Sequence, residues 1–104
     1  MAAPYNPPVK GEDWICRIAL ADYAVPGSFK SSPTIAAGDW KVDKDGAGLN
    51  NLNTIPAVDP AATVLLKITL SSTEMNADVV TIVGIDQTSP KEWADVVICI
   101  QTTA

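Results

Sequence analysis

Histidine is missing from this chain of 104 residues, and cysteine occurs only twice. Histidine is the usual general base near neutral pH and a frequent metal ligand, so its absence removes histidine-based catalytic triads and histidine-containing metal sites. The two cysteines, Cys16 and Cys99, lie near opposite ends of the chain and do not have the spacing of a zinc site. We therefore expect a protein that is not an enzyme and that carries no cofactor and no metal.

Basic residues and long apolar runs are also scarce. Seven Lys and Arg stand against twelve Asp and Glu, the formal net charge is −5, and the basic residues are scattered along the chain. Such a surface repels nucleic-acid phosphates. No segment approaches the roughly 18 apolar residues of a membrane-spanning helix, and the first eight residues lack the features of a signal peptide. We expect no nucleic-acid partner, no membrane partner and synthesis in a cytoplasm.

The chain is long enough for one domain with one core, and a chain of this size buries roughly 65% of its unfolded surface. Its hydrophobic fraction of 47% and charged fraction of 18% are those of a folded globule. Both cysteines lie in apolar, strand-like runs. Two interpretations stay open: free thiols that serve as small core residues, or a disulfide between the first and last strands.

Three prolines lie within the first eleven residues and predict an extended, polyproline-like N-terminal arm over residues 1–12. The alternative is a frayed terminus. Tyrosine is an unusual residue to leave in solvent, so the arm is the candidate interface. Its residues are Pro4, Tyr5, Asn6, Pro7 and Pro8. We expect residues 13–104 to form a single β-sandwich domain.

Alternating polar and apolar residues predict six or seven short strands. The clearest strand covers residues 63–70, with Val64, Leu66, Ile68 and Leu70 on one face. The other predicted strands cover residues 14–20, 40–44, 49–54, 79–86 and 93–101, and residues 22–38 are predicted to be mostly loop. Asp45-Gly46 is a strong hairpin signal.

One short helical turn is predicted near residues 72–77. Ser71 and Glu74 have the spacing of a capping box, and Met75 and Ala77 would then face the core. No alternation of strands and long helices is present, which argues against a parallel sheet. The expected fold is an all-β, antiparallel β-sandwich with one short helical turn.

Three segments have a superficial likeness to chemical sites. Asp43-Lys44-Asp45-Gly46 resembles part of a calcium loop, but the register puts Lys41 and Leu52 where the first and last ligands belong. Gly46-Ala47-Gly48 lacks the following helix of a phosphate loop. Cys16 sits in mid-strand, with nothing to lower its thiol pKa. No catalytic set remains.

The three tryptophans, Trp14, Trp40 and Trp93, lie at or near predicted strand starts. They fit two roles. In a small sandwich they are core or edge-capping residues, whereas an exposed cluster would indicate sugar stacking or a protein interface.

Four blocks of this sequence resemble small virion-associated structural proteins of tailed bacteriophages. The blocks are Pro33–Gly46, Leu52–Pro60, Leu70–Asp78 and Asp86–Trp93. The resemblance implies an Ig-like β-sandwich of the virion and no catalytic residue. Relatives tend to have a second glycine directly after the first in the hairpin, where this chain has Ala47. This departure bears on the turn type and not on the fold.

The leading hypothesis is therefore a phage decoration protein or an accessory component of head, neck or tail, made in the host cytoplasm. Its partners would be other virion proteins and copies of itself, with the arm laid on a neighbouring subunit. One alternative is a carbohydrate-binding or host-adhesion module, which requires exposed tryptophans. Another is a small acidic inhibitor of a host enzyme, which requires carboxylates on one face. The sequence spreads them along the chain, at Asp13, Asp43, Asp78 and Asp95.

Overall fold

A computed structural model describes residues 8–103. It contains two antiparallel sheets, one with the strand order β1-β5-β4 and one with the order β3-β2-β6-β7. The strands are β1 (Trp14–Ala19), β2 (Trp40–Lys44), β3 (Leu49–Asn51), β4 (Ala57–Val58), β5 (Leu65–Leu70), β6 (Val79–Gly84) and β7 (Val96–Gln101). The described residues include no helix. The all-β, antiparallel prediction is confirmed, and the two sheets share one core as in a β-sandwich.

The core lies between the inner faces of the sheets. The predicted inner face of β5 is confirmed, because Leu66, Ile68 and Leu70 are fully buried while Val64, before the strand, is half-buried. Val80 and Ile82 supply the inner face of β6. This alternation is what a strand with one buried face requires.

Two of the three tryptophans form the centre of this core. The rings of Trp40 and Trp93 stack with their centroids 5.5 Å apart, and both are almost completely buried. Gly84 makes room for the Trp40 ring, since a Cβ at that position would lie 2.7 Å from it. Trp14 is half-buried and packs against the same cluster. The core interpretation of the tryptophans is therefore confirmed.

The β2–β3 hairpin has the conformation that Asp45-Gly46 predicts. Asp45 and Gly46 both have positive φ, 55° and 80°, as the two central residues of a type I′ turn do. The Ala47 N–H closes the turn on the Lys44 carbonyl at 3.0 Å. The Asp43 carboxylate accepts the N–H groups of Gly46 and Gly48, at 2.9 and 2.8 Å.

The segment between β5 and β6 is a hydrogen-bonded turn, and the predicted helical turn is not confirmed. The capping-box bonds are nevertheless formed: Glu74 Oε1 accepts the Ser71 N–H at 2.9 Å, and Ser71 Oγ accepts the Glu74 N–H at 3.3 Å. Met75 and Ala77 are buried as expected. The Met75 N–H donates to the Ser71 carbonyl at 2.9 Å, but no further backbone bond of α-helical spacing follows it, so no helix forms.

Several predicted boundaries shift. β3 ends at Asn51, β5 begins at Leu65 and β7 begins at Val96, so each strand is shorter than its alternating pattern. β4, the two-residue strand Ala57–Val58 between two prolines, was not predicted.

The cysteines are both free, and they differ in their surroundings. Cys16 is half-buried and packs against the core, as expected of a small core residue. Cys99 is exposed, so its assignment to the core is wrong. The reason is the strand period of two: Ile98 and Ile100 face inward, which turns Cys99 to solvent.

Candidate protein-binding surface

Residues 21–30, which we call the aromatic loop, follow β1 and form a loop whose two ends are hydrogen-bonded to each other. Ala21 and Phe29 form an isolated antiparallel bridge. The Asp22 N–H donates to the Ser28 carbonyl at 2.8 Å, and the Lys30 N–H donates to the Leu20 carbonyl at 2.7 Å. These bonds join the two ends of the loop at its base.

The tip of the aromatic loop is held by the Asp22 side chain. Its Oδ1 accepts the N–H groups of Ala24, at 2.9 Å, and Val25, at 3.2 Å. This is the local turn for which Asp is favoured. The Ser28 N–H then donates to the Val25 carbonyl at 3.3 Å, so the backbone of the tip is fixed on both sides.

A loop braced in this way presents three large apolar side chains to solvent. Tyr23 is 58% exposed, Val25 56% and Phe29 62%. Side chains that served only to stabilise the fold would be expected to lie in the core, because apolar surface exposed to water is unfavourable. Three exposed apolar side chains within seven residues of one loop indicate a contact surface.

The aromatic loop is anchored to the segment before β7. The Tyr23 N–H donates to the Glu92 carbonyl at 3.0 Å, and Asp22 forms an antiparallel bridge with Trp93. Lys91 Nζ lies 5.8 Å from the centre of the Tyr23 ring and 2.6 Å from the Asp95 carboxylate. The hydrogen bond to Asp95 raises the pKa of the Lys91 ammonium, so the Lys91–Asp95 ion pair borders the aromatic loop.

Three buried carboxylates hold loop backbone in place. Asp39, Glu74 and Asp86 are each at most 5% exposed and accept backbone N–H groups. Burial alone would raise the pKa of the Asp86 carboxyl, but hydrogen bonds from the N–H groups of Glu92 and Thr88 outweigh it and lower the pKa. A carboxylate held ionised in this way stabilises a loop and is a poor general acid.

The described residues form no metal site, and the Cys16 thiol is not activated. Within residues 8–103, no group of three or more acidic or cysteine side chains is placed to hold a metal ion. The carboxylates of Asp43 and Asp45 accept backbone N–H groups in and beside the hairpin. Burial raises the pKa of the Cys16 thiol, which lowers its thiolate fraction at neutral pH.

The predicted interface in the N-terminal arm falls mostly outside the described residues. This applies to Pro4, Tyr5, Asn6 and Pro7. Pro8 is described, and its carbonyl accepts the Thr103 N–H at 2.9 Å. The next residues also contact the domain, because the Lys10 N–H donates to the Thr103 carbonyl and the Gly11 N–H to the Met75 carbonyl.

Sequence reasoning missed the aromatic loop because its turn residues predict only an irregular segment. The sequence does contain features of such a loop. An Asp stands directly before Tyr23, and apolar residues lie on both sides of Pro26-Gly27. Turn chemistry of this kind holds a loop rigid and leaves its remaining side chains free.

No protein-family model, curated protein or solved structure matches this chain. In the described part of the chain, no helix is long and apolar enough to cross a membrane.

Proposed function

We propose that this protein is a structural component of a bacteriophage particle, either a decoration protein or an accessory of the head, neck or tail. It acts through contacts with other virion proteins and with copies of itself. The observation that carries the contact role is the aromatic loop, which holds Tyr23, Val25 and Phe29 in solvent on a fixed backbone. Aromatic side chains of this kind supply much of the binding energy at protein interfaces.

The virion assignment is supported by the four sequence blocks that resemble phage structural proteins. The Ig-like architecture is part of the same proposal, and two antiparallel sheets of three and four strands support it. The blocks fall on structural features: Asp45-Gly46 in the hairpin and Ser71 with Glu74 in the capped turn.

The alternatives have less support. A sugar-binding face needs exposed tryptophans, and Trp40 and Trp93 are in the core. A nucleic-acid mimic needs free carboxylates on one face. Here Asp43 is bonded within the hairpin, while Asp78 and Asp95 form ion pairs with lysines.

The test is recovery of the protein with particles of the phage whose genome encodes it, after density-gradient purification. We expect the unaltered chain in the particle fraction. The double variant Tyr23→Ser/Phe29→Ser should lower its amount at least tenfold, because the loop loses both aromatic contacts. Leu49→Ser is the matched control, since Leu49 is 51% exposed on the hairpin, and it should leave the amount unchanged.

Two results would contradict the proposal in different ways. A chain missing from purified particles overturns the virion role. A double variant that is recovered as well as the unaltered chain overturns the role of the aromatic loop. Thermal unfolding of each variant, followed by circular dichroism, establishes that the variants are folded.

A further inference from the structure

Strands β6 and β7 are apolar on both of their faces. Antiparallel strands with one face in solvent alternate apolar and polar residues, whereas strands that are covered on both faces read as nearly continuous apolar runs. Thr81 is the one polar side chain of β6, and Gln101 is the one amide or charged side chain of β7. We call the outward-pointing residues of β2, β6 and β7 the outer face. They are Lys41, Asp43, Val79, Thr81, Val83, Val97, Cys99 and Gln101.

The apolar part of the outer face contacts solvent. Val97 is 67% exposed, Cys99 is exposed, and Val83 is half-buried although it lies on a central strand. The outer side of the three-stranded sheet differs, because Arg17 and Asp59 form an ion pair there at 2.7 Å. The four-stranded sheet therefore presents the apolar strand surface that a second layer of protein would bury.

The outer face also carries one charge of each sign, and both lie on β2. Lys41 is exposed and Asp43 is half-buried, and the two are about 7 Å apart along the strand. The Asp43 carboxylate is fixed in position by the N–H groups of Gly46 and Gly48, one on each oxygen. Each oxygen keeps a second lone pair for another donor, such as a lysine ammonium group.

The strand register arranges the outer face in rows that run across the sheet. One row consists of Lys41, Val83 and Val97. The adjacent row consists of Asp43, Thr81 and Cys99. A twofold axis that runs between these two rows, parallel to them, exchanges one row with the other. Such an axis relates the two subunits of a symmetric dimer, in which each residue meets its counterpart's partner.

We propose that the outer face binds a second copy of this chain about that twofold axis, with the two four-stranded sheets packed face to face. Lys41 of each copy then lies opposite Asp43 of the other, and Val97 lies opposite Cys99. Opposite charges and apolar side chains thus meet in the same arrangement. Because the outer face is complementary to itself, the occupant is a second copy and not an unrelated protein.

The size of the outer face determines how strong this dimer is. Four neighbouring strands, with β3 at the rim, present a face of about 20 by 20 Å, so the dimer covers about 800 Å² over both copies. Specific, stable interfaces bury about 1,200–2,000 Å², and smaller ones are weak or transient. We therefore expect a dimer that forms at high micromolar concentration and dissociates on dilution.

The test is sedimentation velocity of the isolated full chain over a series from micromolar to millimolar concentration. The mass should rise from the monomer value of 10.9 kDa towards twice that value. Val97→Lys places a charge within the apolar contact and should raise the Kd of the dimer on the order of tenfold or more. Ile15→Lys is the matched control, since Ile15 is 49% exposed on the outer side of the other sheet, and it should leave the Kd unchanged.

Lys41→Glu tests the charge pairs. It sets a glutamate opposite Asp43 of the second copy on both sides of the axis, and like charges that face each other across an interface are strongly unfavourable. The Kd should again rise on the order of tenfold or more. Lys67→Glu makes the same change of charge on the outer side of the three-stranded sheet and should change the Kd little. Thermal unfolding by circular dichroism establishes that each variant is folded.

A thiol on the outer face shows directly which surface is covered. In a Cys16→Ser background, excess maleimide should modify Cys99 more slowly at a concentration where dimers form than in dilute solution. The control places the only thiol on the other sheet, as Ile15→Cys in a Cys16→Ser/Cys99→Ser background. Its rate should be the same at both concentrations.

Two results would overturn the dimer. One is a monomer at every concentration. The other is a dimer that Val97→Lys and Lys41→Glu leave intact, because it would form through another surface. The inference rests on the proposed contacts between copies of the chain, but its test uses the isolated protein. A monomer therefore overturns the dimer alone, whereas absence from purified particles overturns the virion role alone.

Discussion

In the loops of this small domain, three buried carboxylates accept backbone N–H groups. Asp39, Glu74 and Asp86 each accept N–H groups that no strand neighbour reaches. Loops between strands contain many such groups, and each one left unpaired in the interior costs about 1–3 kcal/mol. Ionised acceptors form stronger bonds than neutral ones. These acids are therefore structural residues.

Asp86 provides the clearest test at the scale of one residue. Its two carboxylate oxygens accept the Thr88 N–H at 2.9 Å and the Glu92 N–H at 2.7 Å. Asp86→Asn keeps the shape but replaces one acceptor by an NH₂ group that faces a backbone donor. We expect the free energy of unfolding at pH 7 to fall by about 1–3 kcal/mol in urea titrations.

The effect of Asp86→Asn should depend on pH. The pKa of Asp86 is lower in the folded protein than its ordinary value, so its contribution is present above the unfolded pKa of about 3.9 and is lost as pH falls through the folded pKa. The difference between the unaltered chain and the variant should narrow below about pH 4. Asp13→Asn, at an exposed position, is the control. A difference that stays constant down to about pH 2 would show that ionisation of Asp86 contributes nothing.

At the scale of the elements, local patterns predict the strands well wherever one face is buried. β2 has its predicted bounds because Trp40 and Val42 alternate with polar residues, and Asp45-Gly46 ends the strand. The inner face of β5 follows from the same alternation. Such predictions need only the strand period and local turn chemistry.

Contacts between segments distant in sequence determine several features of the fold that local sequence patterns do not predict. β4 contains only two residues, and it is a strand because Ala57 and Val58 pair with β5. The stacking of Trp40 on Trp93 joins two distant segments. The aromatic loop was missed for a related reason: an apolar residue in a loop gives no local sign of whether it is buried.

The capped turn between β5 and β6 yields a prediction at this scale. Glu74 Oε1 accepts the Ser71 N–H, and Oε2 accepts the Asn53 N–H, which joins the turn to the segment after β3. Glu74→Ala leaves both donors unpaired, so we expect a loss of about 1–3 kcal/mol in the free energy of unfolding. The neighbouring Thr73→Ala removes only an exposed side chain and should change it by less than about 0.5 kcal/mol. Equal effects of the two variants would contradict the bridging role of Glu74.

At the scale of the whole molecule, the sheets are joined by packing and by turns. β1 belongs to the three-stranded sheet and β7 to the four-stranded sheet. Cys16 faces the core, while Cys99 faces solvent on the outer side. Their side chains point in different directions, which excludes the predicted alternative of a disulfide between the first and last strands in this fold. A buried core that extends from Leu20 to Ile100 holds the two sheets together without it.

Thiol reactivity tests this arrangement. In the native protein, Cys99 should react with a maleimide much faster than Cys16, because Cys16 is half-buried and its thiol pKa is raised. Cys99→Ser should remove the fast phase, and Cys16→Ser should leave it in place. In urea both thiols should react in the unaltered chain, and a reductant should not change the melting temperature. A chain with no reactive thiol in urea would show that the cysteines are joined, and the placement of the two side chains on different faces would then be wrong.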